Sequence, residues 1–345
     1  MQGIAAALTA AVLFGAATPL AKLLLGRLDP WLLAGVLYLG SGIGLAALRL
    51  FRKERGRNPD RSELPWLAAA IFCGGVVGPV LLMWGLSHAA ASSASLLLNA
   101  EGVLTALIAW FVFKENFDRR IALGMALIVA GAMALSWPRD GNFESSVPLL
   151  AIVGACLAWA LDNNFTRKVA LADAPTIAMM KGLVAGSANI AIALARGASF
   201  DATGAILAGA LLGLASYGVS LVLFVRALRD LGTARTGAYF STAPFAGAVL
   251  SFVLLHDPVH WQLAVAAVLM AAGVWLHLTE HHAHGHAHAA FDHEHEHEHD
   301  MHHRHVHASP VPEGTRHSHA HHHDPMTHSH EHFPDSHHRH PHRHD

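Results

Sequence analysis

Residues 1 to 280 consist almost entirely of apolar runs about 20 residues long, divided by short polar segments. A helix needs roughly 20 such residues to cross a hydrocarbon layer ~30 Å thick. Ten runs can be drawn, at 2–25, 31–51, 65–87, 91–113, 120–137, 148–168, 175–195, 203–225, 234–255 and 259–279. Most carry no charged residue and so lack the polar face that a soluble helix of this length would turn to water. The expectation is an all-α polytopic membrane protein with ten transmembrane helices. The first run has no basic leader and passes through "GRLDP" straight into the second, so it is a span and not a cleavable signal. Cys73 and Cys156 lie far apart inside apolar runs and are expected to be small core residues.

The connections between runs set an orientation. Fourteen Lys and Arg flank the connections after the second, fourth, sixth and eighth runs, against four (Lys22, Arg27, Arg139 and Arg196) on the other side. The positive-inside rule gives the richer side to the cytoplasm, which places the chain as a multi-pass protein of the cell membrane with both termini cytoplasmic.

The chain also repeats itself. "NAEGVLTALIAWFVFKENFDRRIALGMALIVAGAMAL", from Asn99, aligns with "STAPFAGAVLSFVLLHDPVHWQLAVAAVLMAAGVWL", from Ser241, at a constant offset of 142 residues, so that Glu115 falls on Asp257 and Gly131 on Gly273. Small-xxx-small pairs recur in the same order: Gly40/Gly44 with Gly182/Gly186, and Gly74/Gly78 with Gly209/Gly213. Such pairs let helix backbones approach closely in lipid. Five runs per half is an odd number, so a duplicated second half enters the membrane inverted, and inverted repeats carry their substrate sites near the midplane between the halves. The expected division is a first repeat at 1–137, a linker at 138–147, a second repeat at 148–279 and a tail at 280–345.

The stretch "LLLNAEGVLTALIAWFVFKENFDRRIALGMALIVAGAMAL" resembles the end of an EamA-type domain of the drug/metabolite transporter superfamily, and "APFAGAVLSFVLLHDPV" is its second copy. The resemblance covers residues 1 to 279. It implies a ten-helix carrier of small organic solutes built from inverted five-helix repeats. The chain departs from the family pattern at Gly102, where proline is frequent, at Ala243, where the second copy lacks the acid, and at Asp257, which replaces glutamate.

Polar residues inside apolar runs are the candidates for function. Glu101 stands about ten residues into the fourth run, near mid-bilayer, where a charge costs at least ~2.5 kcal/mol. It can receive a cationic substrate, take up a coupling proton, or serve as packing glue between helices. Neighbouring Asn99 points about 160° away from it on a helix. The sixth run holds "WALDNNFTRKV", in which Asp162 and Thr166 share a face, and Lys181 lies at similar depth in the seventh run. Asp162 and Lys181 form either a stabilising ion pair or part of a substrate path with Asn163 and Asn164, and one arrangement can be both. Thr18 and Pro19 correspond to Asn163 and Asn164 at an offset of 145, with Lys22 opposite Arg167. Substrate contact is therefore assigned to Glu101, Thr18, Asp162, Asn163, Asn164 and Lys181. Pro19, Pro79 and Pro244 free backbone carbonyls or kink helices. Trp84, Trp159, Tyr217 and Tyr239 either close over a substrate or pack and anchor.

Of the 30 histidines, 26 follow residue 280, together with ten acidic residues and four arginines, so an acidic tail follows a basic body. Neutral imidazole binds Zn, Ni and Co, and alternating "HEHEHEH" puts imidazoles along one edge of an extended chain. His281, His282, His284, His286, His288, His293, His295, His297, His299, His302 and His303 are the candidate ligands for a divalent metal ion. Without an apolar pattern the tail is expected to be disordered.

No P-loop or HExxH sequence occurs, so an enzyme is not expected, nor is a required cofactor. A metal-storage protein would explain the tail but not the body. The expected function is a secondary transporter of a small metabolite with a metal-binding regulatory or buffering tail. The alternative is an exporter of Ni, Co or Zn whose tail collects the ion. The expected partners are the small-molecule substrate, the bilayer and divalent metal; nucleic acid is not among them, and a homodimer is compatible with the pattern.

Overall fold

The computed structural model describes residues 2–51, 57–113, 119–137, 146–169, 173–231 and 233–279, and in the tail 283–288, 291–297, 317–323 and 326–331. The body, through Glu280, and the tail, 281–341, are separate compact units.

Every regular element described in the body is helical. In chain order they are α1 (Gln2–Gly15), α2 (Ala17–Leu25), α3 (Pro30–Phe51), α4 (Leu64–Ala70), a π-helical segment (Ile71–Val77), α5 (Gly78–His88), α6 (Ala91–Leu97), α7 (Ala100–Phe113), α8 (Arg119–Ser136) and α9 (Val147–Thr166). Then come α10 (Ala174–Ala195), α11 (Thr203–Gly213), a second π-helical segment (Leu214–Val219), α12 (Ser220–Leu231), α13 (Thr233–Phe240), α14 (Ala243–Leu255) and α15 (Trp261–Leu278). Among the described residues seven stretches are long and apolar enough to cross a membrane, and three shorter apolar helices, Ala122–Ser136, Ala243–Leu255 and Trp261–Leu276, stand where the fifth, ninth and tenth runs were drawn.

Several spans are interrupted, where apolar runs alone suggest continuous helices. The fourth run divides between α6 and α7, where Asn99 turns its Nδ2 back onto the carbonyl of Leu96 at 2.9 Å. The ninth divides between α13 and α14, where the Thr242 hydroxyl donates to the carbonyl of Tyr239 at 2.6 Å. A side chain that bonds a carbonyl of the preceding turn competes with the helical ladder at that place. The third and eighth runs instead widen: Gly78 donates its N–H to Cys73 and Ser220 to Ala215, five residues back. Pro244 sits in the first turn of α14, where the missing N–H costs no helical bond, whereas Pro79 stands inside the continuous Leu64–His88 span and has no N–H to return to the Gly74 and Gly75 carbonyls.

Glycines hold the two halves together. α3 packs against α10, and a Cβ on Gly182 would lie 2.7 Å from the Cα of Gly42 and 2.8 Å from the carbonyl oxygen of Tyr38. Only glycine allows backbones this close. α8 packs against α15, α5 against α9 as α1 against α12, and α7 against α9 as α14 against α1. Each of these contacts maps onto itself or onto its counterpart when the halves are exchanged. Leu32, Leu33, Leu37, Met83, Leu86 and Ile152 are fully buried among them.

In the tail only four short segments are described. Ala283–His288 pairs antiparallel with Met326–Glu331, and Phe291–His297 with His317–His323, giving two separate two-stranded ladders. The register sets His284 opposite His330, His286 opposite His328, His293 opposite His321, His295 opposite His319 and His297 opposite His317.

Candidate functional site

The interruption between α6 and α7 places Glu101 in the first turn of a half-helix rather than in the middle of a continuous one. The N-terminal end of a helix presents unpaired N–H groups and a positive dipole end, which favours a carboxylate there. Asn163 on α9 reaches across and donates its Nδ2 to Oε1 of Glu101 at 2.9 Å and to the hydroxyl of Thr105 at 3.2 Å. No described residue donates to the other oxygen of Glu101. Asn163 is exposed and Glu101 and Thr105 are only partly buried, so this pair lies at an accessible surface within the helical body.

Asp162, one residue before, faces a different neighbour. Lys181 Nζ on α10 stands 2.5 Å from Asp162 Oδ1 and 2.8 Å from the hydroxyl of Thr166, which itself donates to Asp162 Oδ1 at 2.9 Å. The ion pair foreseen from depth is therefore formed, and Thr166 closes it into a triangle. Asp162 Oδ2 rests against the first π-helical segment so closely that a Cβ on Gly74 would meet it at 1.9 Å. Widening that segment leaves the Gly74 carbonyl pointing inward, where it accepts from the Tyr38 hydroxyl at 2.7 Å and from Trp159 Nε1 at 2.9 Å. The next carbonyl, Gly75, accepts from Asn189 at 2.8 Å. Tyr38 continues into an aromatic row, with ring centroids 5.7 Å from Tyr217, then 5.8 Å from Tyr217 to Phe14 and 5.3 Å from Phe14 to Phe240. These rings are all partly exposed.

The structure thus joins Glu101 with Asn163, and Asp162 with Lys181. Asn164 is buried and donates its Nδ2 to the carbonyls of Ala160 at 2.8 Å and Thr105 at 3.2 Å, which ties α9 to α7. Thr18 is buried on α2, which packs on α5, α6, α11 and α14, and among the described residues no hydrogen bond links it to the cluster. Asn99 stands in the break between α6 and α7 and bonds the carbonyl of Leu96, with no hydrogen bond to Glu101 among the described residues. Of the four aromatics considered, Trp159 and Tyr217 belong to the cluster. Trp84 stacks beside His88 at 5.0 Å, and Tyr239 packs on Ala6, Ala7 and Ala227. Tyr38, Thr105 and Asn189 were not foreseen. Among the metal candidates, His281, His282, His299, His302 and His303 lie outside the described residues, and only the strand register is described for His284, His286, His288, His293, His295 and His297.

A second polar arrangement closes one end of the body. Lys22, on α2, donates to carbonyls at and just past the end of α5, Leu86 at 2.5 Å, Ser87 at 3.2 Å and Ala89 at 2.9 Å. Asp257, just past α14, accepts the N–H of Ser92 at the start of α6 at 2.8 Å. The cation thus meets the carbonyl end of one helix and the anion the amide end of the next, each with the favoured sign. The turn between α5 and α6 is held from both sides.

Residues 1–137 and 146–279 match the EamA-like transporter family, one copy for each half of the body. The chain belongs to that family. EamA-like proteins are membrane transporters, and the polar cluster in a bundle of apolar helices fits that class. A protein of Methanothermobacter thermautotrophicus described as an uncharacterized transporter is 26% identical over 296 residues, covering 80% of this chain and 86% of that one. A probable amino-acid metabolite efflux pump of Salmonella typhimurium is 32% identical over 103 residues, 30% of this chain and 34% of that one. A probable flippase subunit ArnE for 4-amino-4-deoxy-L-arabinose-phosphoundecaprenol, from Pseudomonas fluorescens, is 32% identical over 107 residues, 30% of this chain but 91% of that one. A solved crystal structure superposes with a TM-score of 0.58 at 19% identity, over 79% of this chain and 95% of that one, a similarity of fold alone.

Proposed function

We propose that this EamA-like protein is a secondary transporter of the cell membrane, built of ten spans in two inverted repeats, that carries a small organic metabolite past Glu101. The observation that carries the reading is the half-bonded Glu101 carboxylate: one oxygen is held by Asn163 and the other has no described donor. A carboxylate so placed accepts from an ammonium or hydroxyl of a substrate, while Trp159, Tyr38 and Tyr217 offer faces for its apolar part. Matched interruptions in the third and eighth and in the fourth and ninth runs support the duplication. So does a relative such as ArnE, nearly all of which is covered by less than a third of this chain. Uptake and release of labelled amino acids, amines and toxic metabolites by cells with and without the protein test the reading; no difference across the panel would overturn it.

The end held by Lys22 and Asp257 is the gate on the side opposite the basic connections. Lys22→Met removes three donors from the α5 carbonyls, and bonds to charged groups contribute roughly 1.5–3 kcal/mol each at most. The expected result is faster modification of a cysteine placed at Ser87, with insertion retained. Unchanged labelling would mean that the contact is not a closing one.

The tail is proposed to bind divalent metal and to lie in the cytoplasm. Its support is composition: 26 histidines follow residue 280, and neutral imidazole suits Zn, Ni or Co. Truncation after Glu280 leaves every body helix in place. Transport is expected to persist while metal binding, by calorimetry, disappears. A rise in KM for a metal on truncation would instead identify that metal as the cargo, because the tail raises local supply without forming the path. Complete loss of transport in an inserted truncated protein would contradict both.

A further inference from the structure

The Glu101 cluster has a charge balance and an aromatic side, and the two together select a class of substrate. Among the described residues the cluster holds two carboxylates, Glu101 and Asp162, and one cation, Lys181. Lys181 stands on Asp162 and on the Thr166 hydroxyl, so that pair is neutral and an ionised Glu101 leaves one net negative charge. Next along α7, Gly102 is exposed, and a Cβ there would meet nothing within 4 Å, so the first turn that carries Glu101 borders open space. Trp159 precedes Asn163 by four residues on α9 and therefore shares its face. Its Nε1 is tied to the Gly74 carbonyl at 2.9 Å, and a Cβ on Gly78 would lie 2.9 Å from that nitrogen, so one edge of the ring is held while the rest stays partly exposed. The Tyr38 hydroxyl bonds the same carbonyl at 2.7 Å, which brings a second ring alongside, and Tyr217 follows at 5.7 Å. Both tyrosines lie within range of the Glu101 charge.

We propose that the substrate is an arylalkylamine, a primary amine with a flat apolar body and no acidic group, its ammonium on Glu101 and its ring against Trp159, Tyr38 and Tyr217. This rests on Glu101 being the transport site. An ammonium neutralises the one unmatched charge and brings N–H donors to the carboxylate oxygen that Asn163 leaves without a described donor. Aromatic faces carry a negative quadrupole, so they attract the cation as well as stack on the ring behind it. An amino acid keeps the amine but adds a carboxylate. Sharing Lys181 with Asp162 would set two carboxylates side by side, and leaving the new one unmatched restores the net negative charge. A quaternary ammonium has the charge without a donor. The Trp159 and Tyr38 rings are oriented by Gly74 before the substrate arrives, which lowers the ordering cost of binding.

The test is calorimetric titration of the full chain in detergent with tyramine, tyrosine, propylamine and 4-hydroxyphenylacetate, alongside vesicle uptake of the same four compounds in labelled form. Tyramine is expected to bind about tenfold tighter than each of the others, since each lacks the amine or the ring or adds the acid. Tyr217→Leu is expected to bring tyramine down towards propylamine while the propylamine affinity, which needs Glu101 alone, stays as it was and reports an intact site. Tyrosine or propylamine bound as tightly as tyramine by the parent protein overturns the class, as does a failure of tyramine to bind. The two readings fail separately: tyrosine uptake that Glu101→Gln abolishes, without tyramine uptake, sinks the amine class and keeps Glu101 as the transport site. Tyramine bound equally well by Glu101→Gln removes the carboxylate from the site and both readings with it.

Discussion

Glu101→Gln is expected to cut substrate transport by about 10- to 100-fold while the protein remains inserted at normal levels. Glutamine has nearly the same shape, and its carbonyl can still accept from Asn163 Nδ2, which now bonds Glu101 at 2.9 Å. What disappears is the negative charge in the first turn of α7 and the charge-assisted bond it offers a substrate. Bonds to charged groups contribute roughly 1.5–3 kcal/mol, and each 1.4 kcal/mol is a factor of ten in affinity. Folding should not suffer, because a neutral amide is cheaper than a carboxylate in the membrane interior. Asn163→Ala separates positioning from binding: it leaves the charge but releases its orientation, so a smaller loss, mainly in KM, is expected. Initial-rate transport in vesicles, normalised to protein in the membrane, reads both. A wild-type rate in Glu101→Gln would remove Glu101 from the site.

Glu101, Asp162 and Lys181 were legible in the sequence because a charge inside an apolar run is costly, and a costly residue is conspicuous without any structure. The ion pair followed from depth alone, since residues near one end of adjacent antiparallel spans meet. Thr18 and Asn164 show where this reasoning stops. Thr18 was placed by alignment of the halves and Asn164 by the polar cluster of the sixth run, and a one-position shift around α9 separates Asn163, on the accessible side, from Asn164, buried against α7. The offset of 145 used for Thr18 differs from the 142 that aligns the later spans, so equivalence in order did not guarantee equivalence in facing. Tyr38, Thr105 and Asn189 escaped notice because their roles depend on carbonyls or neighbours exposed by non-helical backbone. Gly74 and Gly78 were visible as a packing pair, but hydrophobic periodicity carries no mark of an i to i−5 hydrogen bond.

Lys181→Met is expected to destabilise the body strongly, and pairing it with Asp162→Asn decides what the ion pair is for. The side chains of Lys181 and Asp162 are only 17% and 11% exposed, so removing the cation leaves a carboxylate with Thr166 as its remaining described donor. Breaking one side of a buried pair typically costs about 3–5 kcal/mol, more than the pair itself contributes relative to neutral residues of similar size. Lys181→Met alone should therefore lower Tm in detergent sharply. The double variant should recover most of the loss, because no uncompensated charge remains and the asparagine still accepts from Thr166. Gly74→Ala reaches the same pair from the other side: its Cβ would meet Asp162 Oδ2, so it should behave like a weaker version of the single variant. Transport separates the two roles once stability is restored. If the pair only secures α9 to α10, the stable double variant carries substrate at the parent rate. If Asp162 and Lys181 must part and rejoin as the path opens and closes, the double variant stays folded but loses the control of that step, and its transport falls or becomes uncoupled. Failure of the double variant to regain Tm would show instead that the charges themselves, through Gly74 and the π-helical segment, hold the site in shape.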